Sequence, residues 1–214
     1  IIRTIKVLNL RFVVLTSPNR DDLKDGGASH YAYIVRRIKE TYPDIKVEVL
    51  IPDLKGKKED LETIMAGNPD VVNHNLETVP SLYRVARKGS LYKRSLQFLS
   101  DMKDIDEKRL TKTGVMLGLG ETTEELIEMF ADIKKSKVDI LTLGQYLKPD
   151  KNSLDVQKYY HPDEFESLKK EAEKAGIRYV FSGPLVRSSY LAEHVFDDLI
   201  EGSDNGSKLY AASH

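Results

Sequence analysis

The amino-acid sequence predicts an α/β fold built on a parallel β-sheet. Two observations lead to this prediction. Six short apolar segments alternate with amphipathic segments of helical periodicity, and polar or glycine-rich residues follow each apolar segment. A strand that alternates with a helix returns to the sheet in the same direction, so such units build parallel sheets. The crossovers share one hand, and the sheet either curls into a barrel or stays open with helices on both faces; the pattern leaves both possibilities open.

The strands are assigned to runs of apolar or alternating residues, which lie at 11–17, 46–51, 70–73, 113–118, 138–143 and 178–182. The helices are assigned to the amphipathic segments between them, at 29–42, 58–66, 90–103, 123–135, 162–175 and 190–200. Residues 1–9 are expected to be the end of a further helix. Residues 1–200 form one domain in this interpretation, and the Gly-, Ser- and Asn-rich residues 201–214 form a flexible tail.

Local signals support several helix boundaries. Ser29 is a candidate N-cap, and Thr122 or Thr123 together with Glu125 gives a partial capping box. Pro162 is suited to the first turn of its helix, because that turn does not need its N–H group. Gly176 is suited to the left-handed residue that follows a helix end.

Composition excludes several classes of function. The 33 Lys and Arg residues nearly balance the 34 Asp and Glu residues, so neither nucleic acid nor an anionic membrane is an expected partner. The sequence has no apolar run long enough to cross a bilayer, and nothing at its start resembles a signal peptide. It contains no cysteine, so the residues present cannot supply disulfides or thiolate ligands to zinc or iron.

The candidate site lies at the carboxyl ends of the strands, where parallel α/β folds bind their ligands. Each motif there also has a purely structural interpretation. Gly26 and Gly27 suit a turn before a helix, and residues 118–121 suit a strand–helix turn. His74 is more simply a hydrogen-bonded structural residue than a base or metal ligand. The serines at 188 and 189 are more simply an N-cap.

Six segments taken together are more specific than any single motif. In order they read LTSPNRDDLKDGGA, VEVLIPD, NHNLETVP, GVMLGLGET, LTLGQYLKP and SGPLVRSSY, and they begin at residues 15, 47, 73, 114, 141 and 182. Over residues 10–192 the chain closely resembles the lipoyl synthases, a family of radical S-adenosylmethionine (radical SAM) enzymes. The resemblance decides between the two sheet forms, because it implies a partial (β/α)6 barrel of the TIM-like, radical SAM type that lacks its first strand.

The resemblance implies a sulfurtransferase activity. The family holds two [4Fe–4S] clusters, and one of them binds S-adenosylmethionine and reduces it to a 5′-deoxyadenosyl radical. That radical abstracts hydrogens from C6 and C8 of an octanoyl chain carried on a protein lysine, and the second, auxiliary cluster donates sulfur. The implied partners are an octanoylated carrier (the glycine cleavage H protein or an E2 subunit) and an electron donor such as ferredoxin or flavodoxin. The implied location is the cytoplasm, or an organellar matrix in a eukaryote.

Roles for individual residues follow from the resemblance, position by position. Gly26 and Gly27 stand where these enzymes place a Gly-Gly-Glu-like loop at the methionine amino group. Ala28 follows them here, so the acidic partner must come from elsewhere. The other residues expected to contact the cofactor are Asn75, Glu77, Gly118, Glu121 and Gln145.

The last segment carries the expected catalytic residues. Its Arg-Ser-Ser-Tyr sequence at 187–190 resembles the family motif whose serine ligates the auxiliary cluster. Ser188 is the favoured ligand and Ser189 its rival, since iron lowers the pKa of a bound hydroxyl as metals do for water. Arg187 is expected to position that serine or steer the substrate.

The sequence departs from the family in one large respect. Two three-cysteine motifs, one for each cluster, are absent. The favoured hypothesis is that an N-terminal part carrying them, with the first strand, belongs to the enzyme; a separate chain or a degenerate relative are alternatives. The alternative function is a non-catalytic, cluster-free barrel that binds an octanoylated carrier or a nucleotide. An aldolase-type barrel ranks lower, because Lys112 lies at the start of a strand, the wrong end for catalysis.

Overall fold

The computed structural model describes residues 1–187, and in this range six parallel strands form one sheet. The strands are β1 (Phe12–Thr16), β2 (Lys46–Leu50), β3 (Val71–Asn73), β4 (Leu110–Leu117), β5 (Ile140–Gln145) and β6 (Tyr179–Gly183). Their order in the sheet is their order in the chain. In a doubly wound sheet the order of the strands reverses at a switch point. The unbroken order found here therefore indicates the barrel form. Within residues 1–187 no pairing joins β6 to β1, and the barrel is open between them.

Helices connect the strands on the outside of the sheet. They are α1 (Ile2–Leu8), α2 (Ala28–Thr41), α3 (Lys58–Met65), α4 (Tyr83–Ala86), α5 (Tyr92–Ile105), α6 (Thr123–Lys135) and α7 (Pro162–Lys174). The short helix α4 was not predicted, nor were two 3₁₀ turns, Leu54–Gly56 and Pro80–Leu82. The predicted strands and helices up to residue 183 are confirmed, although β4 begins three residues before its predicted start. The predicted helix at 190–200 and the tail at 201–214 lie outside the described residues.

The two faces of the sheet have different partners. On the outer face Val47, Val49, Val72, Leu141 and Leu143 are fully buried against the helices. Each such side chain contributes about 1.5–3 kcal/mol by leaving water. The alternate residues of the same strands point into the barrel, because neighbouring residues in a strand face opposite sides.

The lower part of the barrel interior is filled by a polar cluster. Lys112 on β4 reaches across β3 to Glu48 on β2, with its Nζ 3.0 Å from Oε2 of that carboxylate. Asn73 donates to the other carboxylate oxygen at 2.8 Å. All three side chains are buried. Lys112 is therefore held in an ion pair inside the barrel and is not placed as a nucleophile.

The cap predictions have mixed outcomes. The capping box at α6 is confirmed, with Thr122 and Glu125 each accepting from the other's backbone N–H. Ser29 as the N-cap of α2 is wrong, because the helix already begins at Ala28 and Gly27 precedes it with φ +91°. The Asp25 carboxylate takes over the capping role and accepts from the N–H groups of Gly27 and Ser29, at 3.0 and 2.9 Å. No helix within residues 1–187 is long and apolar enough to cross a membrane.

Candidate functional site

A cavity of about 300 Å³, here named the lumen cavity, opens inside the barrel at the carboxyl ends of β4 and β5. Four of the predicted site residues line it. The lining consists of Asn75, Glu77, Gly114, Val115, Met116, Thr142, Gly144, Gln145, Leu147, Val186 and Arg187. Loops after three strands thus meet at one place, as expected for a parallel sheet.

The segment that follows β3 forms one wall of this cavity. It runs beside β4, where Glu77 donates its N–H to the Gly114 carbonyl and accepts from Met116 N–H, at 2.9 and 2.8 Å. The guanidinium of Arg87 fixes the segment from behind, with Nη1 2.8 Å from the carbonyl oxygen of Asn75. Glu77 adopts φ +67°, which is uncommon for a residue with a side chain. The backbone therefore holds Asn75 and Glu77 in a fixed position at the cavity.

Two polar groups in this wall lack the partners that buried groups normally have. Asn75 Oδ1 is buried without a hydrogen-bond partner in the described part of the chain. The Glu77 carboxylate accepts one bond, from Asn75 Nδ2 at 3.2 Å, and burial raises the pKa of this carboxyl. An unpaired buried polar atom costs about 1–3 kcal/mol, so the arrangement is expected where a ligand completes the hydrogen bonds.

Glycines make the space for these groups. A Cβ atom on Gly114 would lie 2.8 Å from Asn75 Oδ1 and 2.9 Å from Thr142 Oγ1. A Cβ atom on Gly144 would collide with the carbonyl oxygen of Val186. Thr142, Gly144 and Arg87 were missed from the sequence. The small residues at alternate positions of β5 were a signal for Thr142 and Gly144. Arg87 directly follows the short helix α4, and no sequence signal pointed to it.

Gln145 lines the cavity, yet its side-chain amide serves the loop that follows β5. Its Nε2 lies 3.0 Å from the carbonyl oxygens of Leu117, Tyr146 and Lys158. Its Oε1 accepts from Tyr160 N–H at 3.0 Å. Within the described residues Gln145 thus anchors residues 146–160 next to the cavity.

Gly118 and Glu121 build the turn between β4 and α6 and do not line the lumen cavity. The Glu121 carboxylate accepts from the N–H groups of Gly118 and Leu119, at 2.6 and 2.9 Å. Gly118 has φ +105°, and a Cβ atom there would collide with the Lys158 carbonyl and the Gln145 amide. The geometry gives both residues a structural task, and their cofactor contact stays a prediction.

Gly26 lies at a second cavity, here named the basic cavity, of about 460 Å³ at the carboxyl ends of β1 and β2. No residue lines both cavities. Gly27 lines neither cavity, and it is the N-cap residue that precedes α2. The lining of the basic cavity consists of Asn19, Arg20, Asp21, Leu23, Lys24, Gly26, Pro52, Asp53, Leu54, Lys55, Lys57, Asp60, Lys88, Gly89, Ser90 and Arg94.

The structural interpretation of His74 is confirmed. The ring is buried, with Nδ1 2.9 Å from the Ile51 carbonyl and Nε2 3.0 Å from Ser95 Oγ. Burial lowers its pKa to about 4, so the ring is neutral near pH 7. It joins β3 to α5 and does not face the lumen cavity.

Arg187 lies at the edge of the lumen cavity, where its Nη1 donates to the Val186 carbonyl at 2.7 Å. Ser188 and Ser189 lie outside the described residues. The predicted role of Arg187 stays a prediction, as do the roles of the two serines.

The residues at the lumen cavity fit one of the two groups that the resemblance implies. S-Adenosylmethionine carries ribose hydroxyls and an ammonium group, and the free Asn75 oxygen and the Glu77 carboxyl are acceptors suited to both. An iron–sulfur cluster does not fit the residues present, because the sequence has no cysteine and residues 1–187 contain no His/Asp/Glu group placed to hold a metal.

Comparison with known proteins gives the family. The family model "Radical SAM superfamily" matches residues 1–133. A lipoyl synthase of Koribacter versatilis is 50% identical over 188 residues, which are 88% of this chain and 62% of that protein. Lipoyl synthases of Caldicellulosiruptor bescii and Caldicellulosiruptor saccharolyticus are 49% and 48% identical, over 91% and 90% of this chain and 66% and 68% of those proteins. The chain therefore spans about two thirds of the length of these curated relatives.

Solved structures agree on the fold. Methylornithine synthase superposes with a TM-score of 0.64 at 15% identity, and the match covers 84% of this chain and 60% of the other. A maturase of the [FeFe]-hydrogenase superposes with a TM-score of 0.63 at 13% identity, over 84% of this chain and 48% of the other. At such low identity these matches support the barrel fold alone. The family model and the curated relatives show that the chain belongs to the lipoyl synthase family of the radical SAM superfamily.

Proposed function

We propose that this chain is the cofactor- and substrate-binding part of a lipoyl synthase. In this proposal the enzyme inserts two sulfur atoms at C6 and C8 of an octanoyl chain bound to a carrier protein. The observation that carries the proposal is the lumen cavity, where the buried, unpartnered Asn75 Oδ1 lies beside the half-buried Glu77 carboxyl. Both belong to a chain of the lipoyl synthase family.

Asn75 and Glu77 hold S-adenosylmethionine in this proposal. Their oxygens accept hydrogen bonds from its ribose hydroxyls or its ammonium group. Gly114 and Gly144 let the Asn75 amide and the Val186 carbonyl lie close against the strands at the cavity wall. The cofactor, once reduced, supplies the radical chemistry that unactivated C–H bonds require, and this chain's residues supply its position and exclude water.

The remaining assignments rest on the resemblance. Arg187 positions the neighbouring serine or the substrate, and Ser188, with Ser189 as its rival, ligates the auxiliary cluster. Four further residues stay candidate cofactor contacts with less support, because none of them lines the lumen cavity; they are Gly26, Gly27, Gly118 and Glu121. The cysteine ligands of both [4Fe–4S] clusters come from outside the printed residues.

The partners follow from the proposed reaction. They are an octanoylated carrier, such as the glycine cleavage H protein or an E2 subunit, and a ferredoxin or flavodoxin that donates electrons. We place the enzyme in the cytoplasm, or in the matrix of an organelle.

Binding of S-adenosylmethionine to the chain tests the assignment of the lumen cavity. We expect calorimetry to show binding that Asn75→Ala weakens about tenfold, by removal of one acceptor. Asn152→Ala changes an exposed loop asparagine and is the matched control. Equal affinity of both variants and the wild type would contradict the assignment.

Turnover tests the activity. The chain is extended by the cysteine-bearing segment of a family member, reconstituted with iron and sulfide, and given S-adenosylmethionine, a reductant and octanoylated H protein. Release of 5′-deoxyadenosine and conversion of octanoyl to lipoyl, followed by mass spectrometry, is the expected result. Binding of the carrier without any 5′-deoxyadenosine would instead favour the alternative, a cluster-free binding barrel.

A further inference from the structure

The basic cavity concentrates positive charge in a chain that has little overall. Six of its lining side chains are lysine or arginine and three are aspartate, an excess of three positive charges. The whole chain has a formal net charge of −1. The cavity lies at the same edge of the sheet as the lumen cavity, since both follow the carboxyl ends of parallel strands.

Ion pairs neutralise only part of this charge. Lys55 lies 2.9 Å from Asp21, and Lys57 lies 3.8 Å from Asp60. Arg20 is paired with Asp22, which is not part of the lining, at 2.6 Å. The side chains of Lys24 and Lys88, in contrast, have no partner within residues 1–187, and both residues are exposed. Their charges are therefore available to a ligand.

Arg94 adds a hydrogen-bond donor that is held in place, in contrast to the unpaired lysines at 24 and 88. Its Nε donates to Asp53 Oδ2 at 2.6 Å, while its two terminal nitrogens have no partner in the described part of the chain. Asp53 is itself fixed, because its other oxygen accepts from Lys55 N–H at 3.1 Å. A guanidinium held in this way presents its remaining N–H groups in one direction, which suits a carboxylate.

We propose that the basic cavity docks a carboxylate-rich surface of the octanoylated carrier protein. This inference rests on the proposed function, which requires a protein substrate. The acyl chain has to enter the lumen cavity from the carboxyl edge of the sheet, so a carrier seated there also covers the loops after β1 and β2. Lys24 and Lys88 attract the acidic surface over a distance, and Arg94 fixes its register.

The test measures binding of carrier to this chain, without any chemistry. Octanoylated and unmodified H protein are titrated against the wild type and against Lys24→Glu/Lys88→Glu, by interferometry at about 50 mM salt, where surface charges are weakly screened. We expect the double variant to bind both carriers about tenfold more weakly, because the cavity meets the protein surface and not the acyl chain. The difference should shrink as salt is raised.

Lys6→Glu/Lys108→Glu is the control. Both lysines are exposed, neither lines a cavity described here, and the net charge changes by the same amount. Circular dichroism confirms that all variants are folded. Absence of carrier binding by the wild type, or equal affinity of the two double variants, would overturn the docking proposal. Neither result depends on release of 5′-deoxyadenosine, so failure of the proposed activity is distinguished from failure of docking.

Discussion

The lumen cavity and the basic cavity occupy one edge of the same sheet but are built in different ways. The lumen cavity is lined by strand residues and by a segment that Arg87 fixes, and the Asn75 Oδ1 acceptor in it is buried. The basic cavity is lined largely by loop residues, and its four lysines are exposed. Fixed, desolvated acceptors select a small molecule by geometry, whereas exposed lysines act through a long-range field.

The difference has a consequence for substitutions. The buried polar cluster of Lys112, Glu48 and Asn73 fills the barrel beneath the lumen cavity. Substitutions in this cluster are therefore expected to reduce stability. Loops around the basic cavity contribute fewer buried contacts, so changes there are expected to affect binding more than folding. Three predictions test this contrast, beginning with the largest effect.

Lys112→Met is expected to be the most destabilising change. It leaves the Glu48 carboxylate buried without its ion-pair partner beneath the lumen cavity. Removing one partner of a buried pair costs about 3–5 kcal/mol. Denaturant unfolding measures the free energy. Glu48→Gln/Lys112→Met, which keeps an acceptor for Asn73, should recover more than half of the loss; an equally unstable double variant would show that the pair is not the cause.

Gly114→Ala is expected to damage binding in the lumen cavity more than folding. The added Cβ would displace the Asn75 amide, to which it lies at 2.8 Å. Loss of that group's hydrogen bonds should weaken binding of S-adenosylmethionine by about 1–3 kcal/mol, measured by calorimetry. Gly183→Ala adds the same methyl group where the nearest atom is an ordinary 3.5 Å away. If both variants bind alike, the space beside Asn75 is not a binding feature.

Asp25→Ala is expected to have the smallest effect, at the loop that carries Lys24 and Gly26. Hydrogen bonds from Ser29 and from the N–H of Gly27 lower the pKa of Asp25 to about 2. At a pH above the usual pKa of an aspartate, the ionised carboxylate therefore stabilises the start of α2. This contribution is lost as the pH falls from about 4 to about 2.

The expected cost of Asp25→Ala near pH 7 is about 1 kcal/mol, typical of a lost cap. Thermal unfolding at several pH values should show the two proteins converging below pH 4. Asp44→Ala, at an exposed turn, is the control and should follow the wild type throughout. A constant difference between Asp25→Ala and the wild type down to pH 2 would contradict the capping role.

The outcome for the candidate residues shows how far local patterns reach. Asn75, Glu77 and Arg187 were identified in the sequence and line the lumen cavity. Gln145 was identified as well, but its amide is used by the following loop. The sequence alone does not distinguish a glutamine whose amide faces a ligand from one whose amide binds the next loop. The alternation of side chains along a strand fixes their direction only once the register of the strand is known.

The sequence by itself determined the order of strands and helices, the parallel sheet and the family. These follow from periodicity and from residues close together in the chain. Tertiary structure alone decided that Gly26 and Asn75 line different cavities, that Arg87 supports Asn75, and that Lys112 pairs with Glu48. Each of these depends on where distant segments meet, and such contacts arise from the curvature and register of the whole sheet.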